Sequence, residues 1–497
     1  MKTVDLSGIW ECSVPGQSGE IRLPGTLDEA GFGFPDDPAK QWQAEDVKRI
    51  GFWQEGDPIV TRLTRKKVYE GPARFSRKLS WDCPAGCRVF LECERTRQLR
   101  LTVNGKEAPA VRPVCLSAPA VFEVTGLVTG QDEFVLLSDN SYPGWPRDAI
   151  VYASAASDET QTNWNGVLGY LCLRVEEPGF ISDVRVLPGI QTADIRIELN
   201  LSRPLNSPLR ISSPALADGA KIPVPEKAGT FELKCRVSLR QDVRRWDLEE
   251  GNLYPLTVSA DGLESKTVTF GVRTFAAQDG HFTLNGRRIF LRGEANCAVF
   301  PETGYIPTDE ETWTSVLEKY RAYGVNIVRF HSHCPPEAAF AAADKLGMLM
   351  QPELSHWDPK DAFASGESRG YYAAEAMQIV RSLANHPSFV MLSFGNELQF
   401  RAEFRPFTDH LMHRLREADP TRLYAAGSNA FYGKYGPNPT DDFYTSCEDR
   451  GQMLRAASAN FEGWLNREDV TAYRDYSDAV ERLRKVSGRP VFSFEVG

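Results

Sequence analysis

Apolar and polar positions alternate with a period of two through the first half of the chain, and the second half mixes that period with a helical one. Up to about residue 176, short β-like runs such as Gln98–Val103 and 134–137 end in Asn104-Gly105 and Asp139-Asn140, dipeptides that favour tight turns. Many strands without a long helical period predict a β-sandwich over 1–176, most simply a jelly roll. A second β-rich stretch, 177–275, holds strand-like runs at 195–201, 230–237 and 254–258, and its length and spacing fit an immunoglobulin-like sandwich.

After Phe275 strands and helices alternate. A strand is predicted at 288–292, then a helix over 309–323 closed by Gly324, and a second strand at 325–330. Pro335-Pro336-Glu337 opens the next helix with proline in its first turn, and Gly347 closes it. Further strands follow at 348–350, 389–394, 423–426, 443–445 and 491–494, with helices over 371–384, 407–418 and 473–486. Such alternation implies parallel strands joined by helical crossovers. Residues 276–497 thus read as a catalytic (β/α)₈ TIM barrel holding seven of eight βα units, so the chain is expected to be truncated before its last strand. An open doubly wound sheet is the structural alternative.

Length and composition narrow the class. A chain of 497 residues is too long for one core and fits three domains. The net charge of −10, with Lys and Arg scattered among acids, argues against nucleic acid as a partner. No apolar run reaches the roughly 18–20 residues that span a bilayer, and the N-terminus lacks a signal-peptide core. A cytoplasmic protein without a membrane partner is expected, or a periplasmic or secreted one if a signal peptide was removed. The ten cysteines are dispersed, without metal spacing, and read as reduced structural thiols; Cys83 and Cys87, around a turn, are the candidate exception.

The candidate chemistry sits in two apolar runs that end in carboxylates, Ser393-Phe394-Gly395-Asn396-Glu397 and Val491-Phe492-Ser493-Phe494-Glu495. At the ends of the fourth and seventh strands of a barrel, Glu397 and Glu495 would face each other across one mouth. Cleavage of a glycoside through a covalent intermediate asks for such a pair, about 5–5.5 Å apart. Two solvated acids at strand ends are the plain alternative. Asn396 supplies an amide for a sugar hydroxyl, and Gly395 lets the backbone turn. Arg329 could keep a nucleophile at Glu495 ionised, while burial beside a second carboxylate would raise the pKa of Glu397 and suit it to donate a proton. His331 and His333 lack a third ligand for a metal, which leaves sugar contacts or a scaffold role. Glu353 and Trp357 follow the third strand, where the tryptophan offers a ring to a pyranose or packs. Tyr444, on the sixth strand, could hydrogen-bond the nucleophile. No cofactor or metal is expected; a carbohydrate is the expected ligand, and a homo-oligomer is possible.

These residues resemble glycoside hydrolase family 2, which contains β-galactosidases, β-glucuronidases and β-mannosidases. Leu6-Ser7-Gly8-Ile9-Trp10, Leu23-Pro24-Gly25-Thr26, Tyr69-Glu70-Gly71, Val103-Asn104-Gly105 and Asn163-Trp164-Asn165-Gly166 are similar to its sugar-binding jelly roll. Trp246, Asn252-Leu253-Tyr254-Pro255 and Phe270-Gly271-Val272-Arg273 are similar to its immunoglobulin-like domain; Leu284-Asn285-Gly286 and Leu291-Arg292-Gly293 are similar to the start of its barrel. Gly395-Asn396-Glu397 matches the acid/base motif, and Glu495 with Gly497 the nucleophile strand. The resemblance implies a retaining exo-β-glycosidase, β-galactosidase-like, with Glu397 as acid/base and Glu495 as nucleophile. A β-glucuronidase, β-galacturonidase or α-L-arabinopyranosidase of the same mechanism is the alternative within the class, and a non-catalytic carbohydrate-binding protein the alternative outside it. Gly293-Glu294-Ala295-Asn296-Cys297-Ala298 and His331-Ser332-His333-Cys334-Pro335-Pro336 depart from the family pattern, both in the region that reads the sugar.

Overall fold

The structure, a computed structural model, describes residues 2–35, 65–157, 163–358, 360–399, 401–428 and 438–445, with short pieces at 448–449, 452–453, 481–482, 484–485 and 487–492. The alternation of the first region builds two antiparallel sheets on one core. One runs Lys2–Asp5, Gly166–Glu176, Arg88–Thr96, Ala120–Glu123. The other runs Lys106–Glu107, Gln98–Val103, Gln131–Asp139, Pro72–Ser80, Gly8–Val14, Gln17–Leu23. In Gln131–Asp139 the period of two turns Phe134 and Leu136 inward and their neighbours outward. Each large apolar side chain so buried contributes about 1.5–3 kcal/mol. Buried Trp10 donates its indole N–H to Leu6 O at 3.1 Å, so its polar atom carries no penalty.

The second sandwich places Phe180–Pro188, Thr192–Leu201 and Gly229–Ser238 in one antiparallel sheet, and Ala220–Ile222, Leu209–Ser212, Tyr254–Ala260 and Leu263–Phe270 in the other. Val184, Ile195, Ile197, Leu256 and Val258 fill the space between them. Two buried side chains tie this region to the barrel. Trp246 donates to Asp344 O at 2.7 Å, and Arg273 donates to the carbonyls of Pro387, Thr421 and Phe389 at 3.0, 2.6 and 2.8 Å.

The barrel strands, in order, are Gly293–Asn296, Ile327–Phe330, Leu349–Gln351, Met391–Ser393, Leu423–Ala425, Tyr444–Thr445 and Val491–Phe492. Their described ladders are parallel, and bridges from Met350 to Phe389 and from Glu353 to Ser393 join the third strand to the fourth. Among the described strands the pairings run in sequence from the first to the fifth and from the sixth to the seventh, unlike a doubly wound sheet with its switch point. One strand differs from expectation. Residues 288–292 do not form the first barrel strand; Arg287–Ile289 pairs antiparallel with His281–Leu284, and the barrel begins at Gly293. The cause is the Asn285-Gly286 turn, whose two residues both take positive φ, 53° and 77°, and close a tight hairpin.

That hairpin and Phe275–Gln278 form a small sheet whose Phe275, Phe282 and Leu284 plug the N-terminal end of the barrel against Ile327, Leu349, Met391, Leu423 and Phe443. The outer helices start where their caps allow. Asp309 accepts from Thr312 N at 2.7 Å ahead of Glu310–Ala322, and Gly347 ends Glu337–Leu346 at φ 71°. Gly366–Ser382 begins before the predicted 371, because Ser365 accepts from Ser368 N at 2.9 Å. The helix predicted over 473–486 lies mostly outside the described residues. Among the described residues no helix is long and apolar enough to cross a membrane, and the described cysteines, Cys83 and Cys87 included, are free thiols.

Candidate active site

The C-terminal ends of the second, third and fourth strands converge on Arg329. Its Nε donates to Glu353 Oε1 at 2.7 Å and its Nη2 to Glu353 Oε2 at 3.3 Å and to Asn396 Oδ1 at 2.6 Å. A guanidinium only donates, so this contact fixes which end of the Asn396 amide faces it. Glu353 Oε2 also accepts from Ser332 N at 2.8 Å. The pair is buried, and buried ions persist only where hydrogen bonds satisfy them; removing one partner of such a pair costs about 3–5 kcal/mol.

Asn396 has no exposed surface and sits between two neighbouring strand ends, in parallel register with Trp357 on one side and Ser428 on the other. Its N–H donates to His356 O at 3.0 Å. Gly395 is required just before it, because a Cβ there would lie 2.3 Å from His356 O. Glu397 follows, half-buried, with its N–H on Ser428 O at 3.0 Å and a left-handed φ of 44°. A non-glycine residue in that region costs of order 1–3 kcal/mol and is held there by its surroundings. Ser332 is held likewise, at φ 46°.

The three histidines around this centre are buried and neutral. Burial, with Arg329 and His333 nearby, holds His331 well below its ordinary range, and burial brings His333 and His356 down to about 4. His333 Nδ1 faces His331 O at 3.0 Å and His356 Nδ1 faces Phe394 O at 3.1 Å, so each of these nitrogens is a donor. Among the described residues no group of three His, Cys, Asp or Glu side chains could hold a metal ion.

The structure therefore brings together Arg329, His331, His333, Glu353, Trp357, Asn396 and Glu397. Glu353, expected among the substrate-binding residues, has no exposed surface; both of its oxygens accept hydrogen bonds, and it orients Arg329 and, through it, Asn396. Arg329 was expected to face Glu495, and its described carboxylate partner is Glu353. Glu495 lies outside the described residues. Tyr444 is buried in the barrel core, in register with Val491.

One contribution has no counterpart in the sequence reading. The first sandwich sends the short helix Arg147–Tyr152 and the residues after it onto the barrel mouth. Ser154 N donates to Ser332 Oγ at 2.8 Å, Ser154 Oγ lies 2.9 Å from His331 Nδ1, and Trp357 N donates to Ala149 O at 3.3 Å. Partners 177 residues apart leave no local pattern, although the apolar run Ala149-Ile150-Val151 marks a segment that packs.

Two β-sandwiches followed by a parallel barrel, with a carboxylate behind an asparagine at the end of the fourth strand, define a multidomain TIM-barrel protein with a candidate site at the C-terminal strand ends. Residues 275–469 match the model of the glycosyl hydrolases family 2, TIM barrel domain. Over this stretch the chain carries the TIM barrel domain of glycoside hydrolase family 2. It is 25% identical over 382 residues to a Formosa agariphila protein provisionally named a β-glucuronidase, covering 72% of this chain and 42% of that protein. A β-galactosidase of Photobacterium profundum is 25% identical over 236 residues, 44% of this chain and 22% of that protein. The chain thus spans less than half the length of these curated relatives. Among solved structures, a GH2 β-galacturonidase from Eisenbergiella tayi superposes with a TM-score of 0.71 at 15% identity, covering 90% of this chain and 75% of that one. A β-D-glucuronidase of Dictyoglomus thermophilum superposes at 0.70 and 14% identity, covering 99% and 82%. These likenesses are in fold.

Proposed function

We propose that the protein is a retaining exo-β-glycosidase that removes a terminal sugar through a covalent glycosyl-enzyme intermediate. The observation that carries this reading is the placement of Glu397: at the end of the fourth barrel strand, on a strained backbone, directly after an asparagine whose amide is locked by Arg329 and Glu353. In the reaction Glu397 donates its proton to the glycosidic oxygen as Glu495 attacks the anomeric carbon and the leaving alcohol departs. Glu397 then takes a proton from water, whose oxygen displaces Glu495 and restores the original configuration. Among the described residues the buried Nδ2 of Asn396 has no hydrogen-bond partner, and a sugar hydroxyl would satisfy it. In the same reading the first sandwich is a jelly roll of the sugar-binding type and the second is immunoglobulin-like.

β-Galactosides are the first substrates to assay, since several of the similar curated proteins are named β-galactosidases. A β-uronide is the second reading, favoured by the relative that covers most of the chain, the Formosa agariphila protein provisionally named a β-glucuronidase. A panel of 4-nitrophenyl glycosides, with the anomer of the first-formed sugar followed by NMR, tests the proposal. Turnover with retention is expected, and Glu397→Gln should lower kcat/KM by about 10²–10⁴-fold on substrates whose leaving group needs a proton. No turnover of any glycoside, or inversion, would sink it.

A further inference from the structure

The turn that carries Glu397 is clamped by a histidine that the proposed reaction does not use. His356 follows the third barrel strand and has no exposed surface. Its carbonyl accepts from Asn396 N at 3.0 Å and its ring Nδ1 donates to Phe394 O at 3.1 Å, so one residue holds the backbone on both sides of Gly395. The fit is close: a Cβ on Gly395 would lie 2.9 Å from the His356 Cβ as well as 2.3 Å from its carbonyl oxygen. Glu397 comes directly after this bracket, at the left-handed φ of 44° that its surroundings must hold.

The histidine is itself anchored. Tyr372 stacks on the imidazole with centroids 3.9 Å apart, and Phe363 meets it edge-on at 4.7 Å. Just before it, Ser355 N and Oγ donate to Glu375 at 3.1 and 2.8 Å, and Ser355 O accepts from the Tyr372 hydroxyl at 3.0 Å. Tyr372 and Glu375 lie on the helix Gly366–Ser382, so the clamp runs from an outer helix through His356 to the turn. The imidazole also carries a cost. Its buried Nε2 has no hydrogen-bond partner among the described residues, a penalty that an apolar ring filling the same space would avoid. The bond from Nδ1 to Phe394 O is what the imidazole adds over such a ring.

A general acid works only when its proton lies within hydrogen-bond reach of the leaving oxygen, and a misplacement of about 1 Å can cost about 10²-fold in rate. We propose that His356 is a positioning residue for Glu397: it touches no substrate, and its Nδ1–H bond to Phe394 O sets the turn that aims the carboxyl. The inference rests on the glycosidase reading. It is tested by kcat/KM on two glycosides of the sugar that the nitrophenyl panel selects, a phenyl glycoside, whose leaving group needs a proton, and a 2,4-dinitrophenyl glycoside, whose leaving group does not. His356→Phe keeps a stacking ring and loses the donor. It should lower kcat/KM about 10-fold on the phenyl glycoside and less than about 2-fold on the other. His356→Asn, whose amide nitrogen takes the place of Nδ1, should recover to within about 3-fold of wild type. If His356→Phe does not fold, His356→Gln, whose amide nitrogen takes the place of Nε2, should show the same loss beside His356→Asn. Equal losses on both glycosides, no loss, or no recovery in His356→Asn would overturn the inference, and a Glu397→Gln protein that still separates the two glycosides would leave the catalytic reading standing. A Glu397→Gln protein that does not separate them, or a wild type that cleaves neither, would sink that reading and the inference with it.

Discussion

Arg273 and Arg329 are both buried in the barrel, one below its strands and one above. Arg273 spends its donors on three backbone carbonyls in the loops that lead into the fourth and fifth strands, and burial pulls its pKa well below the ordinary arginine value. Arg329 instead holds a carboxylate and an asparagine amide at the strand ends. The lower guanidinium staples the second sandwich to the barrel, whereas the upper one orients side chains without closing over them. Chain connectivity puts the apolar plug of Phe275 and Phe282 at the lower end and leaves the upper end to loops, and the two arginines follow that division.

The comparison can be broken by substitution. Glu353→Ala leaves Arg329 buried without its carboxylate and should cost about 3–5 kcal/mol of stability. It should also lower the kcat of the protein that still folds, because Asn396 loses its fixed orientation; chemical denaturation and steady-state kinetics report the two effects. Arg273→Met abandons three carbonyls and should cost about 1–3 kcal/mol, with kcat and KM of the folded protein unchanged. If Arg273→Met reduced kcat as Glu353→Ala does, the two ends would not be separable.

The histidines divide along the same line. Below the barrel His386 Nδ1 lies 2.7 Å from Asp344 and its Nε2 3.7 Å from Glu337. These acids outweigh burial and raise His386 to about 9. Its contribution is therefore complete below the unfolded value of about 6.5 and is lost as pH rises through about 9. Around the mouth His333 and His356 are lowered to about 4, so their contribution is present above about 6.5 and is lost as pH falls toward about 4. Stability measured against pH should fall on both sides of neutrality, by at most about 1.4 kcal/mol per pH unit for each titrating group. His386→Asn should flatten the alkaline limb alone. An acid limb that flattened in the same variant would contradict the assignment.

The barrel was legible because its signals are local. Asp309 and Gly347 announce helix ends by cap chemistry, and Gly395-Asn396-Glu397 combines a close backbone approach with a candidate acid in three residues. The first barrel strand was misplaced because residues 288–292 have strand character either way, and only the left-handed pair Asn285-Gly286 decides that they fold back on 281–284. The expected partner of Arg329, Glu495, lies outside the described residues, and the pairing of Arg329 with Glu353 had no signal in the sequence for a different reason. Glu353 and Glu397 both follow strands, and sequence does not show which carboxylate turns inward and which faces the mouth. Ser154 was invisible because its contacts join two regions far apart in the chain.

The central claim, that Glu397 supplies the proton in a double-displacement reaction, is tested most directly by Glu397→Ala with sodium azide. On a 2,4-dinitrophenyl glycoside, which needs no protonation, the variant should form the glycosyl-enzyme and stall. Azide should then enter the vacated space, restore turnover and give a β-configured glycosyl azide. A variant that hydrolyses unactivated glycosides at the wild-type rate, or an α-configured azide product, would contradict the account.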